Sequence, residues 1–310
     1  MNATIDMYAY GFIKLRHDRR IRFEALDFEE SFEYSAGESS TPPDCLMLHK
    51  GVYDRIIRDY HHNDRIPLTL TTYCESPPGS GLGASSTLTV AMLQAFVELL
   101  KLPFGEYDLA QLAYQIERID LRLSGGKQDQ YAATFGGFNF MEFYEGDRVI
   151  VNPLRIKPSV ISELEASTIL YYTGKSRDSC HIINQQSDNI AQMNMDSVHA
   201  MHEVKTEAIE MKESLLVGDI GRFADVMRRG WEAKKKTAAK VTNHEIDRIY
   251  DLALRSGAYA GKISGAGGGG FMILVADPLN RPKLEVALRN GIGRVYSTRF
   301  TERGVSSWRI

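Results

Sequence analysis

The densest chemical signal in the chain is Pro78-Gly-Ser-Gly-Leu-Gly-Ala-Ser-Ser86. Gly79, Gly81 and Gly83 permit backbone torsions that side chains forbid, and they let the main chain approach a ligand closely. Pro78, Ser80, Leu82 and Ala84 complete the loop, and an apolar run from Leu88 to Leu100 comes next. Ser85, Ser86 or Thr87 is expected to cap the helix that this run forms. A helix N-terminus carries free N–H groups and a partial positive charge. The segment therefore reads as a phosphate site, with a flexible turn ahead of a core helix as the plainer alternative.

A second glycine cluster, Lys262-Ile-Ser-Gly-Ala-Gly-Gly-Gly-Gly270, contains Gly265, Gly267 and Gly268 and is a close-approach element by the same logic. Gly265, Gly267 and Gly270 match G-x-G-x-x-G, but they run into Phe271-Met-Ile-Leu-Val275, which reads as a strand. A dinucleotide fingerprint opens a helix, so that reading is rejected. Gly174-Lys175-Ser176 supplies the end of a P-loop, but Ile169 occupies its first glycine position. No H-R-D, D-F-G or G-x-S-x-G motif occurs, which argues against protein kinases and serine hydrolases.

Phosphoryl transfer needs a divalent ion, positioned phosphates and a group that orients or deprotonates the nucleophile. Asp129 is the leading candidate base. It comes just after Gly125-Gly126-Lys127, and the Lys127 charge is expected to keep it ionised. The competing assignment is an N-cap aspartate. Glu117 lies at the edge of a helical apolar stripe and is a candidate Mg²⁺ ligand, with Asp120 as a rival nearer the centre. A hydroxyl of Ser85 or Ser86 would complete the sphere. His199-x-x-His202 reads as ordinary helix surface, since no third ligand is evident.

The elements that must position these groups are mixed. Strands are expected at Tyr8 to Ile13, Ile21 to Ala25, Pro67 to Tyr73, Phe138 to Phe143, Thr168 to Thr173 and Phe271 to Ala276. Helices are expected at Leu46 to His62, Leu88 to Leu100, Leu109 to Leu123, Ser187 to Leu216, Ile220 to Lys236 and Glu245 to Ser256. This order suggests an α+β fold, with a soft boundary between Asn152 and Glu163 that divides the chain into 1–157 and 158–310. At roughly 100–200 residues per domain, 310 residues accommodate two.

With 43% hydrophobic and 25% charged residues, the chain has an ordinary globular balance. A net charge of −3 argues against a nucleic-acid protein that relies on a global positive field. Cys45, Cys74 and Cys180 are an odd number without CxxC spacing, which points to a reducing compartment, and the cytoplasm is expected. The start of the chain shows no signal-like apolar run, and Leu88 to Leu100 is interrupted by Gln94 and Glu98, so no membrane role is expected.

Together these motifs carry a resemblance. Pro78 to Ser86 resembles the central P-x-G-x-G-L-G-S-S loop of GHMP kinases, and Lys262 to Gly270 resembles their C-terminal glycine motif, about 180 residues later. Gly125-Gly-Lys-Gln-Asp-Gln-Tyr-Ala-Ala133, Phe135-Gly-Gly-Phe-Asn139, Tyr172-Thr-Gly-Lys-Ser-Arg177 and Trp231-Glu-Ala-Lys-Lys235 look like the bacterial heptose kinase branch.

The resemblance implies a two-domain fold, with an N-terminal domain of the ribosomal-protein-S5-domain-2 type. It implies ATP and Mg²⁺ as cofactors, and transfer of the γ-phosphoryl group to a sugar phosphate, at the anomeric hydroxyl of a heptose 7-phosphate. It favours Glu117 over Asp120 and matches Ser85 to the metal-reaching serine. Lys175 and Arg177 become candidates for the substrate phosphate, against the alternative of a solvated loop. The other acceptors to weigh are a fucose-like sugar and an isoprenoid alcohol. The family's early A-P-x-R and G-G-G-T-D segment has no counterpart here, since Met1-Asn-Ala-Thr-Ile-Asp6 resembles the family residues that come after that segment. That departure motivates a second reading, a binding-only regulatory module. A monomer or homodimer is expected.

Overall fold

The computed structural model describes residues 1–38, 40–174 and 180–310. In chain order, the first elements are β1 Asn2–Ala3, β2 Ala9–Leu15, β3 Arg20–Ala25, β4 Glu30–Ser35, α1 Met47–Tyr60, β5 Leu68–Cys74, α2 Ala84–Leu100, α3 Glu106–Tyr114 and α4 Gln128–Phe135. Next come β6 Phe138–Phe143, β7 Val149–Pro153, α5 Pro158–Ser167, β8 Thr168–Tyr172, α6 Cys180–Ala191 and α7 Met195–Val217. The last are α8 Ile220–Lys235, α9 His244–Arg255, β9 Ala258–Ile263, β10 Phe271–Ala276, α10 Arg281–Arg289 and β11 Arg294–Tyr296.

Compactness divides the chain into two units that are not consecutive in sequence. One holds 7–77, 83–136 and 302–310, and the other holds 1–6, 78–82 and 137–301. The strands β6 and β7 precede the expected boundary at 157/158 and pack in the second of these units, where β6 pairs with β1 on one side and β7 on the other.

The first unit is a four-stranded sheet, β2-β5-β3-β4, covered by helices. β5 alternates as its sequence dictates: Leu68, Leu70, Thr72 and Cys74 are buried, while Thr69 and Thr71 are half-buried and Tyr73 is exposed. Helix α2 buries Val90, Leu93, Phe96 and Val97 along one stripe. Each of these large side chains contributes roughly 1.5–3 kcal/mol by leaving water. The helix approaches β2 so closely that a Cβ on Gly11 would fall 3.0 Å from the Met92 nitrogen. That glycine sets the seat of α2, and with it the end of the glycine loop.

The second unit contains a three-stranded sheet, β1-β6-β7, and a four-stranded sheet, β11-β8-β10-β9, all antiparallel. Ile169, Tyr171, Met272 and Leu274 form a core with Trp231, Ile246 and Leu288. The helix expected from Ser187 to Leu216 is interrupted. Met193 takes φ 54°, and Asn194 accepts a hydrogen bond from the Ser197 amide to start α7 afresh. The helix expected from Leu109 to Leu123 also changes character: α3 ends at Tyr114 and a π-helical turn covers Gln115–Asp120. The region around the soft boundary holds β7 and α5, with Pro158 on the first turn of α5.

Candidate active site

Gly83 forms the N-cap of α2 with φ 77° and ψ 22°, the left-handed region that favours glycine. No side chain caps this helix, contrary to the expectation for Ser85, Ser86 and Thr87. Thr87 turns its hydroxyl to the Gly83 carbonyl oxygen at 3.0 Å, and Ser85 is exposed. The first amides of α2 are thus left to a ligand, with no acidic residue in the first turn to oppose an anion.

Ser86 faces inward. Its hydroxyl donates to Oε2 of Glu117 at 3.0 Å and accepts from Nε2 of Gln130 at 3.1 Å. Glu117 is fully buried at 0% exposure, and among the described residues its Oε1 has no hydrogen-bond partner. Arg118 reaches Oε2 at 3.3 Å. Burial pushes the Glu117 carboxyl up, against the Arg118 charge and the Ser86, Gln130 and Thr89 side chains. The π turn explains the inward aim: one extra residue per turn rotates Glu117 into the core, and such turns recur at functional sites. Asp120, the rival ligand, instead pairs with Arg55 at 2.8 Å.

Asp129 lies in the first turn of α4, past the N-cap position considered for it, since Lys127 occupies that cap. It is exposed, yet the protein around it raises its pKa, with Arg118 opposing. Its side chain meets solvent, while the protein packed around it still disfavours the charged form. Arg118 supplies an opposing positive charge, and the Lys127 ammonium lies 4.9 Å from the centre of the Tyr114 ring. Asp129 stands against the glycine loop, for a Cβ on Gly83 would fall 3.1 Å from its carboxyl carbon.

The chain passes from one unit to the other between Leu82 and Gly83. On the other side, Pro78–Leu82 lies against the late glycine cluster. The Phe271 amide donates to the Ser80 carbonyl at 2.9 Å. A Cβ on Gly270 would collide with that oxygen, and one on Gly265 would fall 2.8 Å from the Gly81 oxygen. The two motifs therefore meet backbone to backbone. Gly268 anchors the far side through its amide to the Val241 carbonyl at 2.7 Å, and a Cβ on Gly267 would meet that same oxygen at 2.6 Å. Lys175 and Arg177 lie outside the described residues.

Among the described residues, no group of three or more His, Cys, Asp or Glu side chains is placed to hold a metal ion. Mg²⁺ is commonly bound by one or two carboxylates together with phosphate oxygens rather than by a full protein cage. The orphaned, buried Oε1 of Glu117 fits that role. Sequence reasoning missed Gln130 and the inward role of Ser86. Gln130 adjoins Asp129, but its contact with Ser86 spans 44 positions.

The chain as a whole resembles known proteins. The model of the GHMP kinases N terminal domain matches residues 47–137, and that of the GHMP kinases C terminal region matches 211–292. D-glycero-alpha-D-manno-heptose 7-phosphate kinase of Campylobacter jejuni is 47% identical over 310 residues, spanning 100% of this chain and 91% of that protein. The crystal structure of a D-glycero-D-manno-heptose 1-phosphate kinase from Bacteroides thetaiotaomicron matches with a TM-score of 0.83 at 42% identity, over 99% of this chain and 89% of that one. L-fucokinase/L-fucose-1-P guanylyltransferase of Bacteroides fragilis is more distant, 27% identical over 68% of this chain and 22% of its own length. With both family models matched and near-complete coverage of a relative at this identity, the chain belongs to the GHMP kinase family.

Proposed function

We propose that the protein transfers the γ-phosphoryl group of ATP to a hydroxyl of a phosphorylated sugar, the anomeric hydroxyl of D-glycero-D-manno-heptose 7-phosphate. The observation that carries this reading is the close approach of Asp129 to Gly83, which sets a carboxylate beside the phosphate loop. Support for the acceptor comes from the two heptose phosphate kinases above, whose names agree on the sugar and differ on the carbon. The fucokinase likeness is weaker.

In this reading the backbone of Pro78–Ser86 cradles the ATP phosphates, and Gly265, Gly267 and Gly268 hold the loop's first half in place. Asp129 orients the acceptor hydroxyl and takes its proton as the new oxygen–phosphorus bond forms and the bond to the departing ADP oxygen breaks. Its raised pKa suits it to receive that proton. Glu117 and Ser85 would hold Mg²⁺, which when bound would neutralise charge on the phosphate oxygens. Ser86 and Gln130 keep the Glu117 carboxylate in place. Lys175 and Arg177 remain candidates for the acceptor's phosphate.

The division 1–157 and 158–310 is kept as the family's two-domain boundary, with the model matches falling on either side of it. A cytoplasmic setting is inferred from the supply of ATP and sugar phosphates there. Among the described residues no helix is long and apolar enough to cross a membrane.

The test is phosphorus NMR of the full chain with Mg·ATP and heptose 7-phosphate. An anomeric phosphate signal that grows together with ADP is expected. ATP and sugar binding without product would favour the binding-only reading instead.

A further inference from the structure

Two lysines of one compact unit lie at the late glycine cluster, and among the described residues no carboxylate pairs with either of them. Lys234 occupies the last turn of α8, and its ammonium donates to the backbone carbonyl oxygen of Gly265. Lys262 lies on β9 opposite Ile273 of β10, just before the glycine run. Among the described residues, the Lys262 ammonium has no hydrogen-bond or ion-pair partner.

A helix-end lysine needs no special explanation, since the C-terminal dipole favours cations. Lys235 obeys that pattern and pairs with Glu232 at 2.7 Å. Lys234 does not: it leaves its helix for Gly265 and lies near a second positive charge. Burial and the Lys262 charge push Lys234 down to about 7, and burial pushes Lys262 down as well. Such a pair is costly unless an anion completes it. An apolar side chain at either position would avoid that cost.

An ammonium has three donors, and Lys234 spends one on Gly265. The others are available to a ligand. Ser80 and Gly81 abut the same glycine cluster, so an anion at the lysines lies close to this part of the phosphate loop. The nucleotide's phosphates already have that loop. The other dianion in the proposed reaction is the phosphate that the acceptor brings with it.

We propose that Lys234 and Lys262 form the subsite for the phosphate group that the acceptor sugar already carries, and so select a phosphorylated sugar over a free one. This rests on the sugar-phosphate reading above.

The experiment compares wild type, K234M and K262M, with K234R as the conservative variant, using heptose 7-phosphate, unphosphorylated heptose and ATP as varied substrates. In K234M and K262M the KM for heptose 7-phosphate should rise about tenfold or more, the usual cost of a lost charge-assisted bond. The KM for ATP should stay unchanged, the preference over free heptose should shrink, and K234R should recover part of the loss. A rise in the ATP KM alone would assign the lysines to the nucleotide and overturn the proposal, as would unchanged acceptor KM values in both Met variants.

A parallel titration tracks the line width of inorganic phosphate by phosphorus NMR, with a non-hydrolysable ATP analogue at saturation. Broadening in wild type that K234M and K262M abolish is expected; equal broadening in all three overturns the subsite. If wild type binds phosphate in this lysine-dependent way yet turns over no heptose phosphate, the acceptor reading fails while the anion subsite stands. If turnover is normal and the Met variants match wild type, the subsite fails while the acceptor reading stands.

Discussion

Ser86 donates a hydrogen bond of 3.0 Å to the buried Oε2 of Glu117, while Oε1 of the same carboxylate has no hydrogen-bond partner among the described residues. One oxygen is tied down inside the unit and the other is spare. The exposed neighbour Ser85 makes no such tie. Two serines adjacent in sequence thus differ in surroundings: Ser86 is buried against the glutamate and Ser85 is exposed.

Glu117→Gln removes a buried charge but keeps the size of the side chain. Thermal stability should hold or rise, because burial already disfavours the carboxylate. Turnover at millimolar Mg²⁺ should fall about 100-fold or more, since the ion's charge neutralisation is worth several kcal/mol. A Mg²⁺ titration of rate alongside a melting curve checks both, and wild-type metal dependence in the variant would remove Glu117 from the metal site.

Asp129→Asn should lower kcat by about 10²–10⁴ with little change in the KM for ATP. The residue is exposed, so folding should be intact. Single-turnover rates with saturating ATP separate this from a binding defect. Full turnover by the variant would sink the base assignment.

Gly83→Ala strains a backbone at φ 77° and sets a methyl 3.1 Å from the Asp129 carboxyl carbon. The torsion alone costs about 1 kcal/mol. Activity should fall more than stability, because the side chain that gives way is the proposed base. Gly270→Ala should do the reverse, since its methyl would collide with the fixed Ser80 carbonyl. Urea midpoints and kcat for the two variants test the contrast; equal losses in both would contradict it.

His49 supplies a pH dependence outside the site. It is buried between α1 and the sheet, with Nε2 2.9 Å from the Thr72 hydroxyl, and burial lowers its pKa from 6.5 to about 4. Between those values the unfolded chain holds the extra proton, so stability rises with pH across this window and is lost as pH falls through it. From pH 7 to pH 5 the loss assigned to His49 is about 2 kcal/mol. Urea midpoints at both pH values, with His49→Gln as control, should show the drop shrink in the variant; an equal drop in both would clear His49.

Much of this was readable from residue order. The alternation of Leu68 to Cys74, the stripe through α2 and the glycine loop between them arise from local periodicity and from the torsions only glycine tolerates. Those patterns depend on neighbours within a few residues, so the order of the chain dictates them directly. The reading failed where a local signal was overridden: the π turn at Gln115–Asp120, the break at Met193 and the missing side-chain cap at Gly83.

The chemistry was legible as residue types, because Asp129, Glu117 and two glycine clusters announce phosphate and carboxylate work. Which atoms meet was not. The contacts of Ser86 with Glu117 and of Lys234 with Gly265 each span 31 positions, and that of Gly270 with Ser80 spans far more. Such pairings come from the packing of helices and sheets, whose burial free energy has no periodic signature along the chain. Residue order alone therefore set the kind of chemistry and the elements that carry it. Folding in three dimensions set Ser86 rather than Ser85 against the glutamate, gave Asp120 to Arg55 and brought Lys234 to the late glycine cluster, because each contact joins groups far apart in the chain that only the packing of elements brings together.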